Sequence, residues 1–519
     1  MSAAFSAGVR RRTLFGLVGA AGAGGLLAAC GAEISGKLLT SKLPLPKRFV
    51  TPLPIPQVAK PTTPGRYDLV QRAVPVEIIP GTKTTIWGYD GTFPGPTFDV
   101  KANEPITVRI TNELPVPTST HLHGGVTAHD SDGFPTDLIV PAAIASSYQP
   151  GGGSHMPMAS DPMMWTLHTG AREYAYTLNQ PAATLWYHDH RMDFTAPQVY
   201  RGLAGMFIVR DAASEALPLP AGERDIPLMI CDRAFEADGS FRYPAADPRG
   251  IEPGVTAAYM QGVEGDVILV NGAPWPVLEV DAARYRLRFL NASNARRYQL
   301  SLSPGPRSGA AFTQVGSDVG LLAAPAPLDT FTIAPAERFE MIVDFGQYPV
   351  GTEVVLTNSL GSGATKDVMK FKVVRSATDD SAIPATLVDV PRLDTSEVTV
   401  KRTFDFRRKG DSWTINGKDF DPMTSIAQPK MGSTEMWTFS SDFHHPVHLH
   451  LGHFQVHTRN AGGAHAENGD AGWKDTVDLR PYEIVQVIVR FPQYRGRYLL
   501  HCHNLEHEDM SMMATFNVV

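Results

Sequence analysis

Short runs in which apolar and polar residues alternate are the dominant pattern along this chain. Residues 106–112 alternate strictly, and residues 284–289 do so again, with Tyr285, Leu287 and Phe289 set between arginines. Side chains two positions apart share one face of a strand, so such runs predict half-buried β-strands. The 46 glycines and 42 prolines favour short strands joined by turns over helical bundles.

One arrangement recurs three times and predicts three copies of a single β domain. Turn signals at Asp90-Gly91, Asn271-Gly272 and Asn416-Gly417 are each followed by an alternating strand. Polar, proline-punctuated stretches separate the copies near 212–222 and 376–396. A length of 519 residues is enough for several domains. The predicted domains are residues 67–212, 223–375 and 396–519.

Histidine separates the outer copies from the middle one. All 17 histidines lie in residues 121–190 and 444–507. The first and third copies carry His-Leu-His after the alternating strand, whereas the middle copy has Tyr298-Gln-Leu300 at the matching place. The middle copy is therefore expected to lack the chemistry of the other two and to act as a spacer.

Four His-X-His pairs, one of them around a cysteine, predict metal ligation. The pairs are His121 with His123, His188 with His190, His448 with His450, and His501 with His503. Each pair shares one face of a strand, so Cys502 points away from His501 and His503 and a metal site is expected on either side. A thiolate, two imidazoles and an axial thioether make a blue-copper site, and Cys502, His507 and Met512 supply three of these ligands.

The chain resembles the multicopper oxidases, the family of laccases, bilirubin oxidases and cuproxidases. The resemblance lies in His121-Leu-His-Gly, Trp186-Tyr-His-Asp-His190, His445-Pro-Val-His-Leu-His450, and His501-Cys-His-Asn-Leu-Glu-His507 running on to Met512. It extends from about residue 67 to the C-terminus and is greatest for bacterial spore-coat laccases, bilirubin oxidases and phenoxazinone synthases. It implies an all-β fold of three consecutive cupredoxin-like Greek-key β-sandwiches, with no copper in the second.

The resemblance also implies four copper ions and assigns their ligands. The type 1 ion would be held by His445, Cys502, His507 and Met512, the type 2 ion by His121 and His448, and the type 3 pair by His123, His188, His190, His450, His501 and His503. Such an enzyme oxidises phenols, aromatic amines or tetrapyrroles one electron at a time and reduces dioxygen to water. Oxidation of Cu(I), Fe(II) or Mn(II) is the alternative, followed by copper buffering and by a non-catalytic envelope role.

For several residues near the predicted ligands, two interpretations of their role are open. Met510 and Met513 compete with Met512 for the axial position, and the family spacing favours Met512. Asp132 and Glu508 match positions at which related enzymes place proton-delivering acids, although a turn-capping Asp and a solvated Glu are the alternatives. Asp189, between two ligands, is expected to face away and anchor them.

Two further features are read from the residues alone. His444 is expected at the surface rather than as a further ligand. The loop with His155, Met156, Met158, Met163 and Met164 has soft thioethers that bind Cu(I), but hydrophobic packing is the simpler interpretation.

The N-terminus indicates export. Residues 1–30 resemble a twin-arginine signal, with Arg10-Arg11-Arg12, and end in a lipoprotein-like Leu27-Ala-Ala-Cys30; cleavage without lipidation is the alternative. Residues 31–66 contain seven prolines and predict an extended tether. The protein is thus expected in the periplasm or at the cell surface, and lipidation of Cys30 would bind it to the membrane.

Charge and cysteine content limit the partners. Loss of three leader arginines changes the formal net charge of −7 to about −10, which argues against nucleic acid as a partner. With Cys30 in the leader and Cys502 a ligand, Cys231 is expected to be a buried free thiol. The partners expected are dioxygen and a small-molecule or metal-ion reductant, and the chain is expected to be a monomer.

Overall fold

The computed structural model describes residues 35–150, 164–247, 252–460, 464–465 and 469–519, and residues 35–519 form one compact unit. The predicted signal at residues 1–30 lies outside the described residues. Among the described residues, none of the helices has the length and apolar content needed to cross a membrane.

The segment before the first sandwich is extended, as predicted, but it packs against the body of the protein. Strand β1 (Lys37–Leu39) pairs in parallel with Val263–Gly265 of the middle sandwich. Leu39 and Leu53 are buried. The carbonyl of Ser35 accepts a hydrogen bond from Asn504 Nδ2 at 3.4 Å. From Ser35 onward the segment is therefore a strap rather than a free tether.

The first sandwich consists of two four-stranded sheets with a small parallel pair. The sheets have the strand orders β3-β2-β5-β9 and β4-β11-β10-β6, and β7 pairs with β8. The strands are β2 (Arg66–Val76), β3 (Thr84–Tyr89), β4 (Gly95–Lys101), β5 (Ile106–Asn112), β6 (Thr120–His123), β7 (Asp137–Val140), β8 (Thr166–Thr169), β9 (Ala171–Tyr176), β10 (Ala183–Asp189) and β11 (Ala204–Arg210).

The middle sandwich has the largest sheets. One follows the order β16-β15-β12-β18-β23-β20-β21 with β13 beside β12, and the other is β17-β25-β24-β19-β22. The strands are β12 (Asp225–Phe235), β13 (Phe241–Arg242), β14 (Val263–Gly265), β15 (Val267–Val270), β16 (Ala273–Pro274), β17 (Val277–Ala282), β18 (Arg284–Asn291), β19 (Tyr298–Ser303), β20 (Phe312–Ser317), β21 (Gly320–Leu328), β22 (Thr330–Ile333), β23 (Arg338–Asp344), β24 (Glu353–Asn358) and β25 (Asp367–Ser376).

The third sandwich pairs the sheets β27-β26-β29-β34-β31-β32 and β28-β36-β35-β30-β33. Its strands are β26 (Val398–Lys409), β27 (Ser412–Ile415), β28 (Ser425–Ala427), β29 (Thr434–Ser441), β30 (His445–Leu449), β31 (His453–Arg459), β32 (Ala464–His465), β33 (Thr476–Leu479), β34 (Ile484–Arg490), β35 (Gly496–Cys502) and β36 (Met513–Val518). The α-helices are short: α1 (Thr195–Arg201), α2 (Ala212–Glu215) and α3 (Leu505–Asp509).

The three predicted turn signals adopt one backbone conformation. In Asp90-Gly91, Asn271-Gly272 and Asn416-Gly417 both residues have positive φ, between 51° and 82°. Asp, Asn and Gly tolerate this left-handed region better than other residues do. The architecture of three consecutive sandwiches is thus confirmed.

The predicted half-buried strand at residues 284–289 is wrong in one respect. β18 lies inside its sheet and is buried on both faces, because Arg286 and Arg288 are only 6% and 2% exposed. Both guanidinium groups form ion pairs with Glu340, and Arg288 also pairs with Asp225 at 2.6 Å. Paired arginines can occupy a buried face that an alternating pattern assigns to water.

Candidate metal centre

Two pairs of neighbouring strands bring the predicted ligands together. In the first sandwich β6 and β10 are antiparallel and place His121 opposite His188. In the third, β30 and β35 are antiparallel and place His448 opposite His501 and Val447 opposite Cys502. Because His-X-His pairs share a face, each strand pair presents four imidazoles on one side.

The eight imidazoles meet between the first and third sandwiches, and all are buried. Three groups have ligand atoms within 4.8 Å of one another, and each group contains residues from both sandwiches. They are His121 with His448 and His450, His123 with His188 and His503, and His190 with His450 and His501.

Backbone carbonyls fix which nitrogen of the first imidazole pair carries the proton. His121 Nδ1 lies 2.5 Å from the carbonyl oxygen of Asp132, and His448 Nδ1 lies 2.9 Å from that of Asp475. Carbonyl oxygens only accept, so both Nδ1 atoms donate and both Nε2 atoms of the neutral rings carry lone pairs. Those Nε2 atoms face each other at 3.4 Å, an arrangement that repels unless a cation lies between them.

The second imidazole pair has the same arrangement. His450 Nδ1 donates to Asp132 Oδ2 at 2.7 Å, and His501 Nδ1 donates to the carbonyl of Cys502 at 3.1 Å. The two Nε2 atoms lie 3.2 Å apart. Again two lone pairs face each other in a buried space.

The remaining imidazoles present nitrogens that have no hydrogen-bond partner among the described residues. These atoms are His123 Nδ1, His188 Nε2, both ring nitrogens of His503 and both of His190. The other nitrogen of His123 donates to Asp475 Oδ1 at 3.1 Å, and that of His188 donates to the carbonyl of Asp189 at 2.8 Å. Buried polar atoms are normally satisfied, so this set fits metal ions bound by nitrogen lone pairs.

Burial keeps these rings neutral. Desolvation, followed by repulsion from neighbouring imidazoles, lowers the pKa of His121 to about 3. The pKa values of His188, His190 and His450 are held well below the ordinary value, first by desolvation and then by neighbouring imidazoles. A neutral imidazole is the form that binds a metal ion.

A second, smaller group surrounds Cys502. Its Sγ lies 3.5 Å from His445 Nδ1 and 3.6 Å from His507 Nδ1, and the two nitrogens are 3.2 Å apart. With bonds of about 2.0 Å to nitrogen and 2.3 Å to sulfur, tetrahedral ligand atoms lie about 3.3 to 3.6 Å apart. The three atoms are therefore spaced to bind one ion. The backbone N–H of Asn504 donates to the same sulfur at 3.3 Å.

Packing distinguishes the three candidate axial methionines. Met512 is fully buried in the same apolar cluster as Cys502, and backbone hydrogen bonds join it to Cys502 and His507. Met510 lies in that cluster too, whereas Met513 packs in another, with Phe134 and Leu499. The packing thus separates Met513 from the Cys502 group.

The two predicted acids, Asp132 and Glu508, are both buried against ligand imidazoles. Burial raises the pKa of Asp132 to about 6. Glu508 Oε1 lies 3.2 Å from His190 Nδ1, and its Oε2 lies 3.3 Å from His501 Nδ1. Burial contradicts the alternative of a solvated Glu at 508, whereas Asp132 also ends the turn at His129–Ser131, so the turn-capping alternative for it stands.

Asp189 anchors the neighbouring backbone, as predicted, whereas His444 does not lie at the surface. The carboxylate of Asp189 accepts from the backbone N–H groups of Ser119 and Arg191, each at 3.0 Å, and thus anchors the chain around two ligands. His444 is only 2% exposed, so the prediction that it lies at the surface is wrong. It lies beside Arg297 and Asp478, whose ion pair it helps to enclose.

The remaining local predictions have mixed outcomes. Cys231 is a buried free thiol, as predicted, and burial raises its pKa to about 11. Met164 packs against Phe134. The other residues of the methionine-rich loop, His155 to Met163, lie outside the described residues.

Sequence reasoning missed three residues that contact the candidate ligands, and a fourth, Arg338, that supports one of the three. Trp413 stacks on His507 with ring centroids 3.8 Å apart, and Asp442 Oδ1 lies 3.3 Å from His445 Nε2. Asp475 accepts from His123 and forms a bidentate ion pair with Arg338 of the middle sandwich. Burial acts to raise the pKa of Asp475, but Arg338 holds it well below its ordinary value.

Comparisons with known proteins agree with this geometry. Two family models, both described as multicopper oxidase, match residues 72–149 with 162–214, and residues 369–519. A laccase of Bacillus subtilis (strain 168) is 35% identical, covering 91% of this chain and 98% of that protein. A bilirubin oxidase of Albifimbria verrucaria is 34% identical, covering 90% and 81%.

Solved structures of similar proteins share the fold over nearly the whole chain. A laccase from Pediococcus acidilactici Pa5930 superposes with a TM-score of 0.78 at 30% identity, covering 93% of this chain and 96% of that one. The McoA multicopper oxidase from Aquifex aeolicus superposes with a TM-score of 0.75 at 28% identity, covering 90% and 99%.

Proposed function

This chain belongs to the multicopper oxidase family, and we propose that its twelve candidate ligands hold four copper ions in two adjoining centres. It is a laccase-like, copper-dependent oxidoreductase that uses dioxygen as electron acceptor. Bound copper would supply the redox chemistry, which couples one-electron oxidation of a reductant to four-electron reduction of dioxygen to water.

One observation carries the proposal. Pairs of buried, neutral imidazoles from the two outer sandwiches face each other through unprotonated nitrogens, at 3.4 Å for His121 and His448. Within one sandwich, His450 and His501 repeat the arrangement at 3.2 Å. A cation bound between such nitrogens offsets the cost of burying them together.

We assign the ligands to the two centres as follows. The type 1 ion is held by His445, Cys502, His507 and Met512, the type 2 ion by His121 and His448, and the type 3 pair by His123, His188, His190, His450, His501 and His503. The two residues next to Cys502, His501 on strand β35 and His503 directly after it, belong to the second centre. Covalent bonds of the backbone therefore join the two centres directly.

The acids beside the imidazoles are suited to proton delivery. Reduction of dioxygen to water consumes protons, and the second centre is fully buried. Glu508 presents one carboxylate oxygen to His190 and the other to His501. Asp132 presents Oδ2 to His450 on another side. Each carboxyl group would hold a proton next to the space where dioxygen is reduced.

Aromatic reductants, such as phenols, aromatic amines and tetrapyrroles, are the substrate class we favour. The relatives named laccase and bilirubin oxidase support this choice. The surroundings of the type 1 ligands are also aromatic, with Trp413 stacked on His507 and Phe443 close to both imidazoles.

A second candidate function is oxidation of Cu(I), Fe(II) or Mn(II). It is favoured by Asp442, whose side chain is 24% exposed while its carboxylate contacts His445 Nε2. A carboxylate oxygen beside His445 suits the binding of a metal-ion substrate, which would deliver its electron to His445.

Oxygen uptake by the copper-loaded protein tests the function. The reductants are a phenol, an aromatic amine, bilirubin, Fe(II), Mn(II) and Cu(I), and the copper-free protein is the control. We expect a blue sample in which at least one reductant drives uptake, with four one-electron equivalents consumed per dioxygen. A fully copper-loaded sample that is colourless and inert with every reductant would refute the proposal.

We also propose that the protein is exported by the twin-arginine route and attached to the membrane through a lipid on Cys30. The arginine triplet and the Leu-Ala-Ala-Cys sequence support this. Folded export suits a protein that must retain several metal ions. Metabolic labelling with a fatty acid tests it: label on the wild type and none on Cys30→Ala supports lipidation, and no label on either contradicts it.

A further inference from the structure

Arg338, at the start of β23 in the ligand-free middle sandwich, lies fully buried where all three sandwiches meet. Its Nε donates to the carbonyl of Thr184 at 2.9 Å, on strand β10, which carries His188 and ends just before His190. Other donors reach the carbonyls of Ala336 and Asp318, each at 2.9 Å. The guanidinium group thus joins the first sandwich to two loops of the middle one.

The same guanidinium group holds Asp475 in the third sandwich through two parallel hydrogen bonds. Arg338 Nη1 donates to Oδ1 at 2.7 Å, and Nη2 donates to Oδ2. Such a fork fixes the plane of a carboxylate, which a single contact does not. Asp318 supports the ion pair through its own carboxylate. Asp318 Oδ1 accepts from the backbone N–H of Arg338, and Asp318 Oδ2 lies 3.3 Å from the backbone nitrogen of Asp475.

Asp475 in turn orients one imidazole from each outer sandwich. Its Oδ1 accepts from His123 Nε2 at 3.1 Å, and its backbone carbonyl accepts from His448 Nδ1 at 2.9 Å. These two contacts decide which nitrogen of each ring is left with a lone pair. The rings of His123 and His448 stack on each other with centroids 3.6 Å apart.

The sequence makes room for this arrangement at Gly124, directly after His123. A Cβ atom there would lie 2.7 Å from Arg338 Nη2 and 2.7 Å from Asp475 Oδ2. The ion pair therefore occupies the space that a side chain next to the ligand would fill.

We propose that Arg338 is a positioning residue, through which the middle sandwich sets the orientation of His123 and His448 by way of Asp475. The middle sandwich is then more than a spacer. The inference rests on the proposed copper assignments. It predicts that a change at Arg338 affects the histidine centre selectively, since the Cys502 centre has no contact with it among the described residues.

The test compares Arg338→Lys and Arg338→Met with Arg296→Lys. Arg296 is a buried arginine of the same sandwich that pairs with Asp232 at 2.8 Å and Glu264 at 3.0 Å, and none of its hydrogen bonds or ion pairs reaches a ligand histidine. The readouts are copper per chain, blue absorbance, electron paramagnetic resonance of the type 2 ion, and oxygen uptake. Lysine keeps the positive charge but loses the two parallel hydrogen bonds, so Arg338→Lys tests the geometry even if Arg338→Met does not fold.

We expect Arg338→Lys to keep the blue absorbance, to change the type 2 resonance, and to lower oxygen uptake about 10- to 100-fold. Arg296→Lys should match the wild type in all four readouts. Wild-type spectra and uptake in Arg338→Lys would overturn the inference. So would a parallel loss of blue absorbance and type 2 signal, which indicates general damage to the fold. A wild type without either signal would instead refute the proposed function.

Discussion

Replacing Gly124 with alanine tests the packing beside His123 quantitatively. Gly124 has a φ of +86°, and an added Cβ would lie 2.7 Å from Arg338 Nη2, Asp475 Oδ2 and Leu185 Cδ2. The left-handed backbone costs about 1 to 2 kcal/mol and the overpacking about 1 to 3 kcal/mol. The expected loss in free energy of unfolding is therefore about 2 to 5 kcal/mol.

Gly432→Ala separates the two contributions. Gly432 has a φ of +82°, but nothing lies within 4 Å of its added Cβ, so only the backbone cost applies. Urea unfolding of the copper-free proteins gives both losses without a contribution from metal binding. The loss for Gly124→Ala should exceed that for Gly432→Ala by about 1 to 3 kcal/mol. Equal losses would refute the close approach of the ion pair to His123.

Four further predictions concern the centres and the free thiol. Cys502→Ser should abolish the blue colour and all substrate oxidation, and a variant that stays blue rules out the type 1 assignment. His121→Ala should keep the blue absorbance but lose oxygen uptake, so sustained uptake contradicts the histidine centre. Glu508→Gln should slow oxygen reduction about 100-fold at unchanged copper content if it delivers protons, and wild-type turnover argues against that role. Cys231 should react with a thiol reagent only after unfolding, because it is buried and its pKa is raised to about 11; rapid labelling of the native protein at pH 8 would contradict this.

Alternation predicted strands well wherever one face meets water. Residues 106–112 form β5 with the expected alternate burial, whereas β18 is buried on both faces. The difference arises from Arg286 and Arg288, which pair with carboxylates on the two neighbouring strands, β12 and β23, that lie more than 50 positions away in sequence. No local pattern signals such pairing, so a buried arginine is misread as an exposed one.

Which histidines share a face could be predicted from the His-X-His spacing within a strand, but the residues that support these histidines could not. Asp475 contacts His123 across 352 positions of sequence and Arg338 across 137. These contacts depend on how three sandwiches pack together. His444 was misplaced for the same reason, since its burial comes from Arg297 on another sandwich.

The strap that begins at Ser35 limits the distance between the body of the protein and a lipid on Cys30. A free tether of residues 31–66 would let the protein range about 120 Å from a lipid on Cys30. Only four residues separate Cys30 from the packed Ser35, and the five Cα–Cα steps between them reach about 18 Å. Ser35 contacts Asn504, which donates to Cys502 Sγ. Quenching of a dye at residue 38 by labelled lipids would measure the distance, and no quenching would contradict it. A lipidated enzyme would thus be held close to the membrane. The centre that accepts electrons would then lie near the bilayer surface and within reach of reductants dissolved in the bilayer.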